Sequence, residues 1–185
     1  MDTVTKATAI PPSADEAAAS LAAAKHETLV TVSMADLQIC DQAHATLVAY
    51  ALGSCIGVAV WDRALKVGGL MHVMLPSSRS GAGSAWVRPA MFADTAVPLL
   101  LGRMLQLGSV RENLVVKLAG GGQLLAESRQ LAIGTRNIAA VRAAFAEQEI
   151  AIAGEDLGGT KSRSLKLQVG SGISFVCSRG EESEL

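Results

Sequence analysis

The sequence predicts an α+β or layered α/β domain, for three reasons. Half of the 185 residues are hydrophobic but only 3% are aromatic, so the core must be built mainly from Ala, Val, Leu and Ile. Eighteen glycines indicate many tight turns or close backbone approaches, which suit a sheet better than a helical bundle. Short β-rich runs stand before, between and after two stretches of helical spacing. We therefore expect one domain at residues 29–178, between a tail at 1–28 and an acidic tail at 179–185.

The N-terminal tail is rich in Ala, Pro and Ser and offers little that a core could bury. Residues 14–25 could form a transient helix, since alanine is the best helix former, and a partner-binding helix is the alternative to a disordered tail. The tail has no continuous apolar segment of the kind found in secretory signals. No later segment has the roughly eighteen apolar residues that a membrane span needs. We expect a cytosolic protein without membrane insertion.

The first half of the domain is predicted to consist of strands. Two of them lie at residues 29–32 and 45–50, where apolar and β-branched side chains cluster. Two further runs, at residues 55–61 and 69–75, flank a polar turn and predict an antiparallel hairpin.

This hairpin can bring Cys55 and His72 together. If residues 62–65 form its loop, Cys55 lies directly opposite His72, close enough for a thiol–imidazole contact. A slip of one residue would instead send the two side chains to opposite faces. Just before the cysteine, Gly53 and Ser54 predict a sharp turn, because Gly53 can take a positive φ at no steric cost.

The second half of the domain adds two helices. The first begins at Pro89, which suits a first turn, contains a proline that should kink it, and ends before Gly108, which suits a C-terminal cap. The second spans residues 138–148, with Thr135 or Asn137 as its cap. The later strands are predicted at residues 114–119, 150–153, 165–169 and 173–177, with turns at 156–159 and 170–172, and a Ser/Gly-rich loop at 76–87 borders the hairpin.

Cys55 and His72 are the candidates for chemistry. Free cysteine is among the most buried residue types, so a packed core thiol is the plain alternative for Cys55. Backbone N–H groups in the turn formed by Gly53 and Ser54 can point at one spot, which lowers a thiol pKa or forms an oxyanion hole. A lone histidine in an apolar strand is usually a core residue, but its ring needs a partner, and a thiolate would be one.

Other functional classes find little support. The net charge is −1 and no basic run occurs, so nucleic acid is not an expected partner. The glycine run at 120–122 lacks the Lys-Ser/Thr of a phosphate-binding loop and predicts a turn with close packing instead. Without a CxxC motif we expect no metal and no cofactor, and Cys40 and Cys177 are read as core or near-surface thiols. His26 and His44 receive no role.

Two sequence blocks are specific: LGSC at residues 52–55 and GGLMHVMLP at residues 68–76. Further blocks follow at 93–100 (ADTAVPLL), 117–121 (KLAGG), 133–137 (IGTRN) and 155–159 (EDLGG). On these blocks, which lie within residues 28–176 in the family's order, the chain resembles the CheD family, the chemoreceptor glutamine deamidases of bacterial and archaeal chemotaxis. The resemblance implies a three-layer sheet-and-helix domain similar to cysteine-nucleophile deamidase toxins.

The resemblance also implies a mechanism. Cys55 would attack the side-chain amide of a protein-bound glutamine, backbone N–H groups near Gly53 and Ser54 would hold the oxyanion, and His72 would give a proton to the departing ammonia. Water would hydrolyse the thioester and leave glutamate. The substrates would be glutamines on the cytoplasmic helices of chemoreceptors, where the new carboxylates serve the adaptation methyltransferase. A CheC-type phosphatase would be a further partner.

One position departs from the family's pattern. The family carries a threonine six places before the cysteine, counted as the third catalytic residue, and this chain has Ala49 there. Thr46 is three residues away and would face the other side of the strand, so the orienting role passes to a backbone carbonyl, to Ser54 or to Tyr50. The leading hypothesis is a receptor deamidase. Ala49 favours the alternative, a non-catalytic chemosensory adaptor that binds receptor or phosphatase, and a thiol hydrolase of another amide is a third reading.

Overall fold

The computed structural model describes residues 28–80, 88–123 and 132–185, and within these ranges the chain folds into three layers. Two five-stranded sheets are stacked face to face, and two helices cover the outer face of the second sheet. The predicted layered α+β class is confirmed. The predicted N-terminal tail lies outside the described residues except for Thr28.

The first sheet has the strand order β1-β3-β8-β9-β10. Strand β1 runs parallel to β3, and all other neighbours in this sheet are antiparallel. Its strands are Thr28–Thr31 (β1), Ala45–Leu52 (β3), Arg163–Gln168 (β8), Ser174–Ser178 (β9) and Glu181–Glu184 (β10).

The second sheet has the strand order β2-β5-β4-β6-β7. Only β6 and β7 are parallel neighbours. Its strands are Leu37–Cys40 (β2), Ile56–Asp62 (β4), Val67–Val73 (β5), Leu114–Gly120 (β6) and Ile152–Leu157 (β7).

The helices are Ala93–Gln106 (α1) and Ile133–Glu147 (α2).

Alternation along β4 explains the layers, because successive side chains point to opposite faces of a strand. Ile56 and Val58 face a helix-side core, and Ala59 between Val58 and Val60 faces an inter-sheet core. The helix-side core includes Met71, Leu100, Met104, Val141 and Phe145, and the inter-sheet core includes Leu47, Leu52, Leu70, Leu165, Leu167 and Val176. Within the described ranges, no helix is long and apolar enough to cross a membrane.

Most predicted strands are confirmed with shifted ends, including the hairpin of β8 and β9. The short strand β2 was not predicted. Strand β7 runs on to Leu157, so the turn predicted at residues 156–159 is wrong over its first half, and only Gly158 and Gly159 take positive φ angles. The acidic tail is exposed as expected, but residues 181–184 of it form β10.

The first helix begins later than predicted. Pro89 opens a separate 3₁₀ turn, and Phe92 is extended, so the α-helix starts only at Ala93. The backbone N–H of Ala93 donates to the carbonyl of Leu75 at 2.9 Å, which ties the start of the helix to the end of β5. Gly108 follows the helix with a φ of +95°, as predicted for its C-terminal end.

The second helix begins earlier than predicted, at Ile133 rather than 138. Thr135 and Asn137 therefore lie inside it, and the cap position is Ala132, which makes no side-chain cap hydrogen bond. The predicted start of this helix was wrong because the polar residues that cap helices also occur inside helices, where they face a neighbouring turn. The side chain of Asn137 is fully buried, which leads to the site described next.

Candidate active site

Cys55 lies in a tight turn between β3 and β4, and all three carbonyl groups of this turn are occupied. The carbonyl of Gly53 accepts from the N–H of Gly122 at 2.7 Å, and that of Cys55 accepts from the N–H of Gly121 at 2.8 Å. The carbonyl of Ser54 accepts from Nδ2 of Asn137 at 2.8 Å. Within the described residues, the N–H groups of Ser54 and Cys55 donate to no carbonyl. The turn thus ties down its acceptors and leaves the N–H groups of Ser54 and Cys55 without a carbonyl partner among the described residues, whereas the N–H of Gly53 donates to the carbonyl of Ala51 at 2.9 Å.

The glycine run after β6 forms the wall against which this turn packs. Gly120 has a φ of +117°, and Gly121 has a φ of +67°. A Cβ on Gly134, at the start of α2, would lie 2.4 Å from the carbonyl oxygen of Gly121, so the helix also approaches the run at backbone distance. The prediction that this run is a turn with close packing is confirmed.

His72 lies on β5 and faces the inter-sheet core. Its cross-strand partner on β4 is Gly57, not Cys55, so the register predicted from the sequence is wrong by two residues. The hairpin loop has the assumed length of four residues but lies one residue later, at 63–66, because Asp62 pairs with Val67. A shift of two preserves the face, so Cys55 and His72 are diagonal neighbours, which are typically about 7–8 Å apart and within reach of a ring.

Gly57 has no side chain, which lets Leu52 and Leu165 pack directly against β4 between the two residues. A Cβ there would lie 2.7 Å from Cδ1 of Leu52 and 3.3 Å from Cδ2 of Leu165, both in the inter-sheet core. His72 is opposite Gly57 and therefore points into the same layer, and it is only 2% exposed.

Neither ring nitrogen of His72 has a hydrogen-bond partner among the described residues. Such orphaned nitrogens in a buried imidazole are uncommon and need an explanation. Ala49, at the family's threonine position, is fully buried in the inter-sheet core beside Val32 and Leu52. Its methyl group offers no hydroxyl to the ring.

The structure reduces the number of groups that could replace the threonine hydroxyl missing at position 49 as the orienting partner of His72. Thr46 has the opposite parity from Ala49 on β3 and lies outside the inter-sheet core, as predicted. Tyr50 is 45% exposed and is turned to the surface. Burial lowers the pKa of His72, and a backbone contact with Val32 opposes this shift, although the contact falls short of hydrogen-bond geometry.

Burial sets the protonation state of both candidate residues. It raises the pKa of the Cys55 thiol, and a hydrogen bond from the residue's own backbone N–H opposes this. It lowers the pKa of the His72 imidazole, against the opposing backbone contact. The resting pair is therefore a neutral thiol and a neutral imidazole, because a charged form is disfavoured away from water. A backbone N–H group of the turn lowers the pKa of Cys55, as the sequence suggested, but burial outweighs it and the net shift is upward.

Sequence reasoning missed three residues around the turn. Asn137 was read as a helix cap, although Nδ2 also donates to the carbonyl of Met74 at 2.9 Å. For Gly57 the sequence offered one indication, a glycine inside a strand, which can mark a place where another segment approaches the backbone closely. Arg163 is buried, pairs with Asp156 at 3.1 Å and donates from Nη1 to the carbonyl of Gly120 at 3.4 Å. A buried arginine beside a double-glycine turn is visible only once the strands are assembled.

Among the described residues, the remaining titratable groups form no second cluster of candidate catalytic side chains. All three cysteines are free, and Cys177 donates to Oε2 of Glu182 at 2.8 Å on the outer face of the first sheet. His44 is exposed, and His26 lies outside the described residues. In the part of the chain that the structure describes, no three His, Cys, Asp or Glu side chains come together as metal ligands.

The site is thus a half-buried cysteine and a buried histidine on the inter-sheet face of one hairpin, with a glycine-walled turn around the cysteine. A family model described as CheD chemotactic sensory transduction matches residues 74–178. The match begins just after His72, so the pair itself lies outside it. The curated relatives extend the similarity over most of the chain.

Three of these relatives are 39–41% identical to this chain. A probable chemoreceptor glutamine deamidase CheD 1 of Syntrophus aciditrophicus is 41% identical over 151 residues, which covers 82% of this chain and 94% of the relative. A probable chemoreceptor glutamine deamidase CheD 2 of Anaeromyxobacter dehalogenans is 41% identical over 145 residues, covering 78% and 91%. The chemoreceptor glutamine deamidase CheD of Halalkalibacterium halodurans is 39% identical over 141 residues, covering 75% and 86%. The chain belongs to the CheD family.

Proposed function

We propose that this protein is a chemoreceptor glutamine deamidase, which hydrolyses the side-chain amide of specific protein-bound glutamines to glutamate and ammonia. Its relatives carry that name, and its chain has a cysteine and a histidine that could act as nucleophile and base. The observation that carries the proposal is the placement of Cys55 in a turn with two N–H donors that have no carbonyl partner among the described residues, on the same face of the hairpin as His72.

The reaction starts from the neutral pair. As Sγ of Cys55 attacks the carboxamide carbon, His72 takes the thiol proton, and the N–H groups of Ser54 and Cys55 hold the oxyanion. The C–N bond then breaks, His72 returns the proton to the leaving nitrogen, and ammonia departs from the thioester. Water attacks the thioester with His72 again as base, the C–S bond breaks, and glutamate and the thiol are restored. No cofactor takes part in these steps.

The substrate and partners follow from the family. The glutamines lie on the cytoplasmic helices of chemoreceptors, so the enzyme works in the cytosol. Deamidation creates carboxylates that the adaptation methyltransferase can modify. A CheC-type phosphatase is the expected protein partner, and neither nucleic acid nor a membrane is needed.

Ala49 supports one alternative, a non-catalytic adaptor of the same fold. Without a hydroxyl at this position the ring nitrogens of His72 have no orienting partner among the described residues. Loss of an orienting residue lowers the rate but leaves the chemistry when nucleophile and base remain. The deamidase is therefore the better supported of the two.

The deciding experiment is mass spectrometry of a receptor cytoplasmic domain incubated with the protein. We expect the wild type to convert specific glutamines to glutamate, with a mass increase of about 1 Da at each site, because NH₂ is replaced by OH. Cys55→Ser should abolish the conversion, and Cys177→Ser, a thiol on the outer sheet face, should leave it unchanged. Receptor binding without conversion by the wild type would establish the adaptor instead.

A further inference from the structure

We propose that Asn137 is a positioning residue, which fixes the Cys55 turn against the strand that carries His72. This inference rests on the proposed function, since positioning matters only if the pair reacts. Asn137 lies in the second turn of α2, and its side chain is fully buried. One amide nitrogen joins two segments that no other side-chain hydrogen bond links among the described residues.

The location of this contact is the first argument. The ladder between β4 and β5 ends at the pair of Ile56 and Val73, so Cys55 lies one step beyond the last ladder pair. Continuing the register would place Met74 opposite Cys55. Nδ2 of Asn137 donates to the carbonyl of Met74 at 2.9 Å and to that of Ser54 at 2.8 Å. The hydrogen bonds of this amide thus join the two strands just beyond the last backbone pair, next to Cys55.

The orientation of the amide is the second argument. Two carbonyl oxygens can be served only by the NH₂ end of the side chain, so Oδ1 must point away from both. Oδ1 is buried and has no hydrogen-bond partner among the described residues. An unsatisfied buried acceptor opposes folding, so the two hydrogen bonds from Nδ2 must offset its cost. The benefit lies in what Nδ2 holds.

The helix does not need this amide to dock on the sheet. Val141 and Phe145, one and two turns further along α2, are fully buried in the helix-side core. Apolar burial of this kind anchors most helices in proteins. Asn137 instead faces the carbonyl groups of the turn, which are polar groups that burial alone would leave unpaired.

The test combines turnover with thiol reactivity in the full-length protein. Asn137→Ala removes both hydrogen bonds, and Asn137→Ser retains one shorter donor as a milder change. We expect Asn137→Ala to lower kcat for receptor deamidation by about a hundredfold with KM within about twofold, since a misplacement of about 1 Å has that effect. Asn137→Ser should fall between Asn137→Ala and the wild type. The control is Val141→Ala, which damages the same helix but touches neither carbonyl, and its kcat should stay near that of the wild type.

Alkylation by iodoacetamide, followed at each cysteine by peptide mass spectrometry, provides a readout without substrate. Release of the turn uncovers Cys55 and relieves the burial that raises its pKa, so Cys55 should be alkylated faster in Asn137→Ala while Cys40 and Cys177 keep their rates. Faster alkylation together with slower turnover supports the proposal. Equal acceleration at all three cysteines, an unchanged kcat, or the same loss in Val141→Ala would overturn it. If the wild type deamidates nothing, the proposed function fails, and the alkylation pattern alone then decides whether Asn137 holds the turn.

Discussion

Gly120 lies so close to Cys55 that a Cβ attached to it would be 2.2 Å from the carbonyl oxygen of Cys55. The φ of Gly120, +117°, is also one that side chains rarely adopt. The end of β6 and the nucleophile turn are therefore in backbone-to-backbone contact. The shape of the turn depends on the absence of a side chain at Gly120 as much as on its own residues.

Gly120→Ala should abolish deamidation and destabilise the fold. The methyl group would push on backbone rather than on a flexible side chain, and we expect a loss of about 2–5 kcal/mol from the combined strain and overpacking. The free energy of unfolding is measured by urea denaturation. Gly158→Ala is the control, because Gly158 has a φ of +76° but nothing within 4 Å of the added Cβ. An equal loss in both variants would mean that the φ angle alone matters.

Gly57→Ala should lower activity by disturbing the layer between Cys55 and His72. The new methyl group would meet Leu52 and Leu165, so we expect a stability loss of about 1–3 kcal/mol and at least a tenfold lower kcat. Gly69→Ala is the matched control for overpacking, since a Cβ there would lie 2.6 Å from Cδ1 of Leu100 on the helix side of the same sheet. The idea fails if Gly69→Ala lowers kcat as much as Gly57→Ala at similar stability.

Ala49→Thr should raise the rate of deamidation. The hydroxyl would enter the inter-sheet core, where the ring nitrogens of His72 have no partner among the described residues. We expect kcat to rise by about threefold to tenfold, a gain that corresponds to one hydrogen bond of about 0.5–1.5 kcal/mol. The extra atoms crowd a fully buried position, so the unfolding free energy should fall by about 1–2 kcal/mol.

Ala49→Val supplies the comparison, since valine has the shape of threonine without the hydroxyl. It should lose similar stability and gain no rate. A rate increase in Ala49→Val, or none in Ala49→Thr, would show that His72 does not use a hydroxyl from this position.

The Cys55 thiol should titrate above its value in the unfolded chain. Burial raises its pKa, so at a given pH the folded protein holds less thiolate than the unfolded one, and alkylation should rise with pH at a higher midpoint. By the same linkage, stability should fall as the pH rises from the unfolded pKa of this thiol through its raised folded pKa, because in that window the folded state binds more protons. The measurement is the pH dependence of Cys55 alkylation, with the protein in urea as reference. If the midpoint of Cys55 alkylation lies below that of the unfolded chain, the folded protein instead favours the thiolate form of Cys55.

The sequence was sufficient for the fold class and the family, because short apolar runs and specific sequence blocks can be recognised without a structure. The roles of Cys55 as nucleophile and His72 as its base stay predictions. The sequence placed the hairpin but set its register wrong by two residues, since loop length alone does not show that Asp62 pairs with Val67. The error left Cys55 and His72 on one face, because side chains alternate with a period of two. Asn137 could not be recognised, since its role depends on a helix that starts before it and on two carbonyl groups far away along the chain.

Strand β10 has a further consequence for the behaviour of the protein at high concentration. It is the last strand in the order of the first sheet, and its exposed side chains include Glu181, Glu182 and Glu184. A free strand edge is a template for pairing with another copy of the chain, and like charges along it oppose that pairing. Among the described residues, Lys166 pairs with Glu182, and no ion pair is found for Glu181 or Glu184. The acidic side chains of β10 thus oppose the pairing of this strand with the same strand of a second copy.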